Sequence, residues 1–365
     1  MKKIICFTES LSGGGAEHQI VVLAKLLYEK GYDVTVATFA DVADHYNLSS
    51  QIKRVKIGQN KSYIGKWLAV WKYILHTDAD CIISYRQKCN IRVLPISILR
   101  PKLKVLASER NLTISKPDMF ERLLFNFFYY RADAIIPNSF SQQRHIIESS
   151  KRLASKSKVI INFIDLEHYH FQEMPPFDRV LKIGIFARYS QQKNVVGLLR
   201  MLSDMKMYGH KEFIIDWYGS QIGNIDGYNQ DYLNAISYAK ELGVDNMIRF
   251  LPAVKDTAAA TRNYHVVALP SLFEGFSNSI GEAICCGRPM FCSDVSDNSL
   301  MVREGQNGFI FDPTSVSSMR TSFEKLLSTD YAALKYMGQR SREIAEELFN
   351  SERFIGDYIT LIEQN

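Results

Sequence analysis

The chain has 365 residues, of which 46% are hydrophobic and 23% charged. That length exceeds what one hydrophobic core usually serves, so two domains are expected, and the composition excludes disordered, collagen-like and fibrous classes. The formal net charge of +5 is uneven: residues 1–170 hold 25 Lys/Arg against 15 Asp/Glu, and the remainder hold 19 against 24.

The opening segment MKKIICFTES has too short an apolar run for a signal peptide and meets Glu9, so export is not expected. Residues 3–7 read as a buried parallel strand, followed by the glycine-rich loop Ser10-Leu-Ser-Gly-Gly-Gly-Ala-Glu-His18 and a helix over 16–30 that Gly31 closes. Similar short apolar runs at 33–37, 81–84, 104–107 and 134–136 alternate with helical patterns, which is the grammar of a doubly wound α/β sheet. Over 61–76, Lys and Trp/Tyr recur at helical spacing. That stretch fits a helix at an anionic lipid interface, or an ordinary amphipathic helix whose aromatics face the core. Asp78-Ala-Asp80 mimics a metal-binding motif but directly precedes a strand, so it reads as a polar loop, and no metal is expected. The longest apolar run, 123–130, is far short of a membrane span. The proline pair within 172–177 predicts a linker. Beyond it the same grammar returns, with strands expected at 182–186, 213–217, 248–251, 266–269 and 289–292. Two Rossmann-like domains follow, over 1–171 and 178–349. The cysteines, at positions 6, 81, 89, 285, 286 and 292, show no Cys-x-x-Cys spacing and read as buried residues of a reducing compartment.

Three stretches carry the chemistry. The loop with Gly14 and Gly15 lets backbone approach an anion, yet its consecutive glycines match neither the dinucleotide fingerprint nor a Walker A loop. In Phe186-Ala-Arg-Tyr-Ser-Gln-Gln-Lys-Asn194, Arg188 and Lys193 leave one loop after a strand, where they could hold a diphosphate. Pro270-Ser-Leu-Phe-Glu-Gly-Phe-Ser-Asn-Ser-Ile-Gly-Glu-Ala-Ile284 places Glu274 and Glu282 at a strand-to-helix junction, where carboxylates would accept hydrogen bonds from sugar hydroxyls. Ser279-Ile-Gly-Glu282 also matches a capping box, in which Glu282 would return a bond to the backbone of Ser279. Glu274 has no comparable structural role.

These residues carry a resemblance. The pair Glu274 and Glu282 is similar to the E-x7-E signature of family 4 retaining glycosyltransferases of the GT-B fold. Arg188 with Lys193 resembles their R-x4-K, Gly13-Gly-Gly-Ala-Glu17 their first phosphate loop, and Val159-Ile-Ile-Asn-Phe-Ile-Asp165 their interdomain V-I-x-N-G-I-D. Phe163 replaces the usual hinge glycine, His265 stands where aspartate is usual, and His18 where arginine is common. The resemblance implies two domains facing a central cleft, with a C-terminal helix over 350–365 packing back on the first. It further implies donor contacts from Gly14, Gly15, Ser277, Asn278 and Glu282, catalytic roles for Glu274, Arg188 and Lys193, and an acceptor side near His18, Glu109 and Arg110. The expected partners are a nucleotide diphosphate sugar, UDP before GDP, and a lipid-linked or lipopolysaccharide glycan acceptor met at the inner face of the cytoplasmic membrane, with no cofactor. A nucleotide-sugar 2-epimerase on the same fold, and more remotely a basic nucleic-acid-binding protein, are the alternatives.

Overall fold

The computed structural model describes residues 1–12, 14–110, 119–206, 212–225 and 227–364. The chain divides into two compact units, Met1–Phe163 with Ser351–Asn365, and Ile164–Asn350.

The first unit holds strands β1 (Lys3–Thr8), β2 (Asp33–Thr38), β3 (Lys53–Lys56), β4 (Cys81–Tyr85), β5 (Lys104–Glu109) and β6 (Ala134–Pro137), in the order β3-β2-β1-β4-β5-β6. All pairings are parallel, with Ile4 beside both Val34 and Cys81. Alternation along β1 feeds two cores. Ile4 and Cys6 pack with Ile20, Leu23 and Leu27, while Ile5 and Phe7 pack with Val70, Ile74 and Leu94. Helices therefore cover both faces, which is why the strands read as unbroken apolar runs. The helix Ser351–Glu363 joins the first of these cores through Phe354, Ile355, Tyr358, Leu361 and Ile362, each worth about 1.5–3 kcal/mol when buried.

The second unit repeats the plan. Its strands are β7 (Leu181–Phe186), β8 (Phe213–Gly219), β9 (Ile222–Ile225), β10 (Ile248–Pro252), β11 (Val266–Leu269), β12 (Met290–Ser293) and β13 (Gly308–Phe311), with sheet order β10-β8-β7-β11-β12-β13. In each sheet the winding direction reverses once, between β1 and β4 and between β7 and β11. Open α/β sheets bind ligands outside the carboxyl ends of strands at that reversal.

The proline segment is not a free linker. Met174 lies in the core of the second unit, and the fully buried Arg288 guanidinium donates to the carbonyls of Gln172 and Glu173. Burial lowers the pKa of Arg288 to about 10. The Tyr331 hydroxyl bonds the carbonyls of Met174 and Pro175. At the unusual Phe163, both polar atoms of the Gln19 amide clasp its backbone, at 2.7 and 2.8 Å, and its ring packs on Phe354. The unusual His265 accepts the Lys182 N–H at Nδ1, 2.9 Å away, so Nε2 donates to the Pro176 carbonyl, and burial holds its pKa down.

Asp78 pairs with Lys3, and Asp80 accepts the Lys3 N–H at 2.8 Å, so this pair fastens β1 to the loop that precedes β4. All six cysteines are buried and free. Among the described residues no helix is long and apolar enough to cross a membrane.

Candidate active site

The loops leaving β7 and β11, neighbours at the reversal of the second sheet, are stitched together. Leu272 N–H donates to the Gln192 carbonyl at 2.8 Å, the Gln192 amide donates to the Phe273 carbonyl at 3.0 Å, and Ser279 Oγ donates to the Phe186 carbonyl at 3.1 Å. A fourth link is chemical. The Lys193 ammonium forms an ion pair with the Glu274 carboxylate, at side-chain exposures of 13% and 8%. The residues expected to hold diphosphate and sugar are thus brought into direct contact. Arg188, on the same loop, is exposed and makes no ion pair or hydrogen bond with the described residues. The loops also keep unused polar atoms: Ser190 Oγ and Ser271 Oγ are buried without a partner among the described residues. A cavity of about 410 Å³ flanks the turn beside Ser190, Asn194, Asp231 and Leu272. Arg188, Lys193, Glu274 and Glu282 do not line it.

Glu282 does not close a capping box. The helix Asn278–Cys285 begins after Ser277, and the Ser279 hydroxyl is spent on Phe186. Glu282 instead accepts from the Thr257 hydroxyl at 3.3 Å and from Tyr169, whose hydroxyl lies 3.0 Å from that of Thr257. Burial pushes the Glu282 carboxyl above its ordinary range, and these two hydroxyls only partly offset it. A carboxylate has about four acceptor positions, so room remains for a diol. Tyr169 and Thr257 were not expected from sequence, because they lie far from Glu282 along the chain. The Ser277 hydroxyl donates to Asn298 at 2.7 Å, so its proton is spent and the donor that Ser277 can offer a ligand is its backbone N–H. Asn278 follows it as the first helical residue.

In the first unit the matching reversal lies between β1 and β4. Gly13 lies outside the described residues. The Tyr46 hydroxyl bonds both the N–H and the carbonyl of Gly14, at 3.3 and 3.2 Å. Gly14 has φ +154, which residues with side chains rarely adopt, and a Cβ there would also meet Glu17 Oε2 at 2.5 Å. Glu17 is 4% exposed and held by Arg86 at 2.7 Å, while Arg86 itself has φ +78, an uncommon value for a side-chain-bearing residue. Gly15 opens the helix Gly15–Glu29, and exposed His18 packs on the ring of Tyr46. Glu109 and Arg110 are both buried and bonded within the first unit. Glu109 is 2% exposed and bound by Asn90 and Tyr129, while Arg110 is 8% exposed and donates to Ser108, Asn162, Tyr85 and Tyr358. Arg110 thereby fixes the C-terminal helix to the end of β5.

Among the described residues, no group of three or more His, Cys, Asp or Glu could hold a metal ion.

The profile of the Glycosyltransferase Family 4 matches residues 13–168, and that of the Glycosyl transferases group 1 matches residues 170–344. The chain belongs to the family 4 glycosyltransferases. It is a glycosyltransferase of GT-B type, which sets aside the epimerase and nucleic-acid-binding readings. The enzyme is 22% identical over 90% of its length, and 91% of the relative's, to the Campylobacter jejuni N-acetylgalactosamine-N,N'-diacetylbacillosaminyl-diphospho-undecaprenol 4-alpha-N-acetylgalactosaminyltransferase. It is 24% identical, over 78% of its chain and 77% of the relative's, to a second Campylobacter jejuni enzyme, which adds N-acetylgalactosamine to a GalNAc-GalNAc-diNAcBac-PP-undecaprenol. Among solved structures, Anabaena HepE in complex with UDP and glucose superposes with a TM-score of 0.82 at 21% identity, over 99% of each chain.

Proposed function

We propose that this glycosyltransferase moves a hexose or N-acetylhexosamine from a UDP-sugar, with retention of anomeric configuration, to the sugar of a lipid-linked or polysaccharide acceptor. The observation that carries the reading is the Lys193–Glu274 pair, set beside the uncommitted Arg188 at the reversal of the second sheet. Glu282, with Tyr169 and Thr257, would receive the ribose hydroxyls. Arg188 and Lys193 would face the diphosphate, supplying positive charge where the leaving group becomes more negative, without a divalent metal. Glu274 would accept from hydroxyls of the transferred sugar. The bond from the anomeric carbon to the diphosphate breaks, a leaving phosphate oxygen takes the acceptor proton, and the new glycosidic bond forms on the face just vacated. The names of the Campylobacter relatives support a polyprenol-diphosphate-linked acceptor, and the HepE complex supports UDP as carrier.

A thermal-unfolding panel of nucleotide sugars tests the donor. A true donor at about 100 times its Kd should add roughly 2.7 kcal/mol of stability, a shift of several degrees in Tm. No response to any UDP- or GDP-sugar would refute the proposal. Glu282→Gln should remove much of that response, weakening UDP binding by about 1.5–3 kcal/mol for the lost charged acceptor. Because burial disfavours the Glu282 carboxylate, the unliganded variant should be no less stable than wild type near neutral pH. A variant that unfolds early yet binds UDP normally would assign Glu282 a purely structural role.

A further inference from the structure

We infer that the first unit carries a membrane-docking face, built on the helix Met119–Phe127 and the turns beside it, whose occupant is an anionic lipid bilayer. This helix is apolar on two sides. Leu124 and Phe125 point into the core with Tyr129, whereas Met119, Leu123 and Phe127, spaced four residues apart along one stripe, are 78%, 48% and 70% exposed. A helix on the surface of a protein in water normally turns polar residues outward. The stripe does not end with the helix. Phe128 and Tyr130 continue it through the turn Tyr129–Arg131, and Arg131 donates to the carbonyls of Ser97, Arg100 and Leu103. Those bonds bring up the exposed Ile98 and Leu99.

Charge selects the occupant. Segments 97–103, 119–133 and 151–156 carry Arg100, Lys102, Arg122, Arg131, Lys151, Arg152 and Lys156 against two acids, Glu121 and Asp133. The Asp133 carboxylate is already spent on the Val105 N–H and on Arg131. Lys156 lies 4.6 Å over the Tyr130 ring and bonds the Tyr130 carbonyl at 2.8 Å, a tyrosine–lysine pair of the kind that sits at headgroup level. Exposed apolar side chains bordered by cations match a surface that is oily beneath and anionic at its rim. A protein partner would need acidic residues around its own apolar patch, and nothing here favours that. The helix Tyr63–His76 is a weaker candidate: Val70 and Ile74 are buried, Trp67 stacks under Arg92, and of its apolar residues only Tyr63, Ile64 and Leu68 are largely exposed.

This inference shares the lipid-linked reading of the acceptor, so the test uses vesicles that contain no glycolipid. Full-length enzyme is floated with vesicles of equal parts phosphatidylglycerol and phosphatidylcholine, and with phosphatidylcholine alone. Binding is expected to the first and to be at least about tenfold weaker to the second. Leu123→Ser with Phe127→Ser should lower binding by about tenfold or more. Lys151→Gln with Arg152→Gln should lower it only on the anionic vesicles, by about tenfold. All these side chains are exposed, so Tm and the UDP response should be unchanged, which shows that the variants fold. Wild-type protein that stays unbound with anionic vesicles overturns the inference, as does serine-variant binding equal to wild type. A dimer that the serine substitutions dissociate, without vesicle binding, overturns it in favour of a second copy of the chain. Vesicle binding combined with failure to glycosylate any polyprenol-linked acceptor would sink the acceptor reading and leave the docking face standing.

Discussion

Replacing Arg188 by alanine is expected to lower kcat/KM by about 2–4 kcal/mol, roughly 30- to 1,000-fold, while leaving folding stability within about 0.5 kcal/mol of wild type. The two halves of this expectation come from one observation. Arg188 is exposed and bonds to none of the described residues, so the folded enzyme loses nothing when it is removed. Its companion Lys193 is already neutralised by Glu274. Arg188 is therefore the cation of this loop whose charge is uncommitted when a diphosphate departs. Arg188→Lys should recover only part of the loss, because an ammonium cannot reproduce the two-pronged geometry of a guanidinium on phosphate. Steady-state kinetics with the donor identified by thermal shift, together with thermal unfolding of the same preparations, reads both quantities. Unchanged turnover would remove Arg188 from the reaction, and a large drop in Tm would make it a structural residue.

How much of this was legible beforehand depended on how local each determinant is. Strands buried on both faces announce themselves as apolar runs, which is why residues 33–37 and 81–84 reappear as β2 and β4 to within a residue. The edge strand β3 was invisible, since Lys53-Arg-Val-Lys56 contains one apolar residue and buries none of its side chains fully. The glutamate pair was legible as a motif, but the partners of Glu282 were not. Thr257 and Tyr169 reach it through the fold, and a local pattern offered Ser279 as a competing partner that the real start of the helix excludes. The same reasoning explains Glu109 and Arg110. A sequence shows two charges next to a strand and gives no sign of the four hydroxyls and two side-chain amides that enclose them. The 172–177 segment looked like a linker because proline favours extended chain, and the buried arginine that anchors it comes from more than a hundred residues away.

The second large effect concerns the ion pair itself. Glu274→Gln and Lys193→Met should each destabilise the enzyme by about 3–5 kcal/mol, since each leaves the other charge buried and unpaired. The double variant should lose less than the sum of the two, with a coupling of about 0.5–3 kcal/mol. Stability alone would not separate a structural pair from a working one, but ligand binding does. In Glu274→Gln the ammonium of Lys193 is released, so free UDP should bind at least as tightly as to wild type while sugar transfer is lost. In Lys193→Met the diphosphate loses its cation and gains an unpaired carboxylate nearby, so UDP should bind more weakly by about 1.5–3 kcal/mol. Isothermal titration of UDP into both variants, below the onset of unfolding, measures the contrast. Equal weakening in the two would mean that the pair only holds the loops of β7 and β11 together. Opposite responses would mean that Glu274 occupies the diphosphate-binding ammonium until the donor arrives, so that donor binding both frees the carboxylate for the sugar hydroxyls and supplies the anion that replaces it on Lys193.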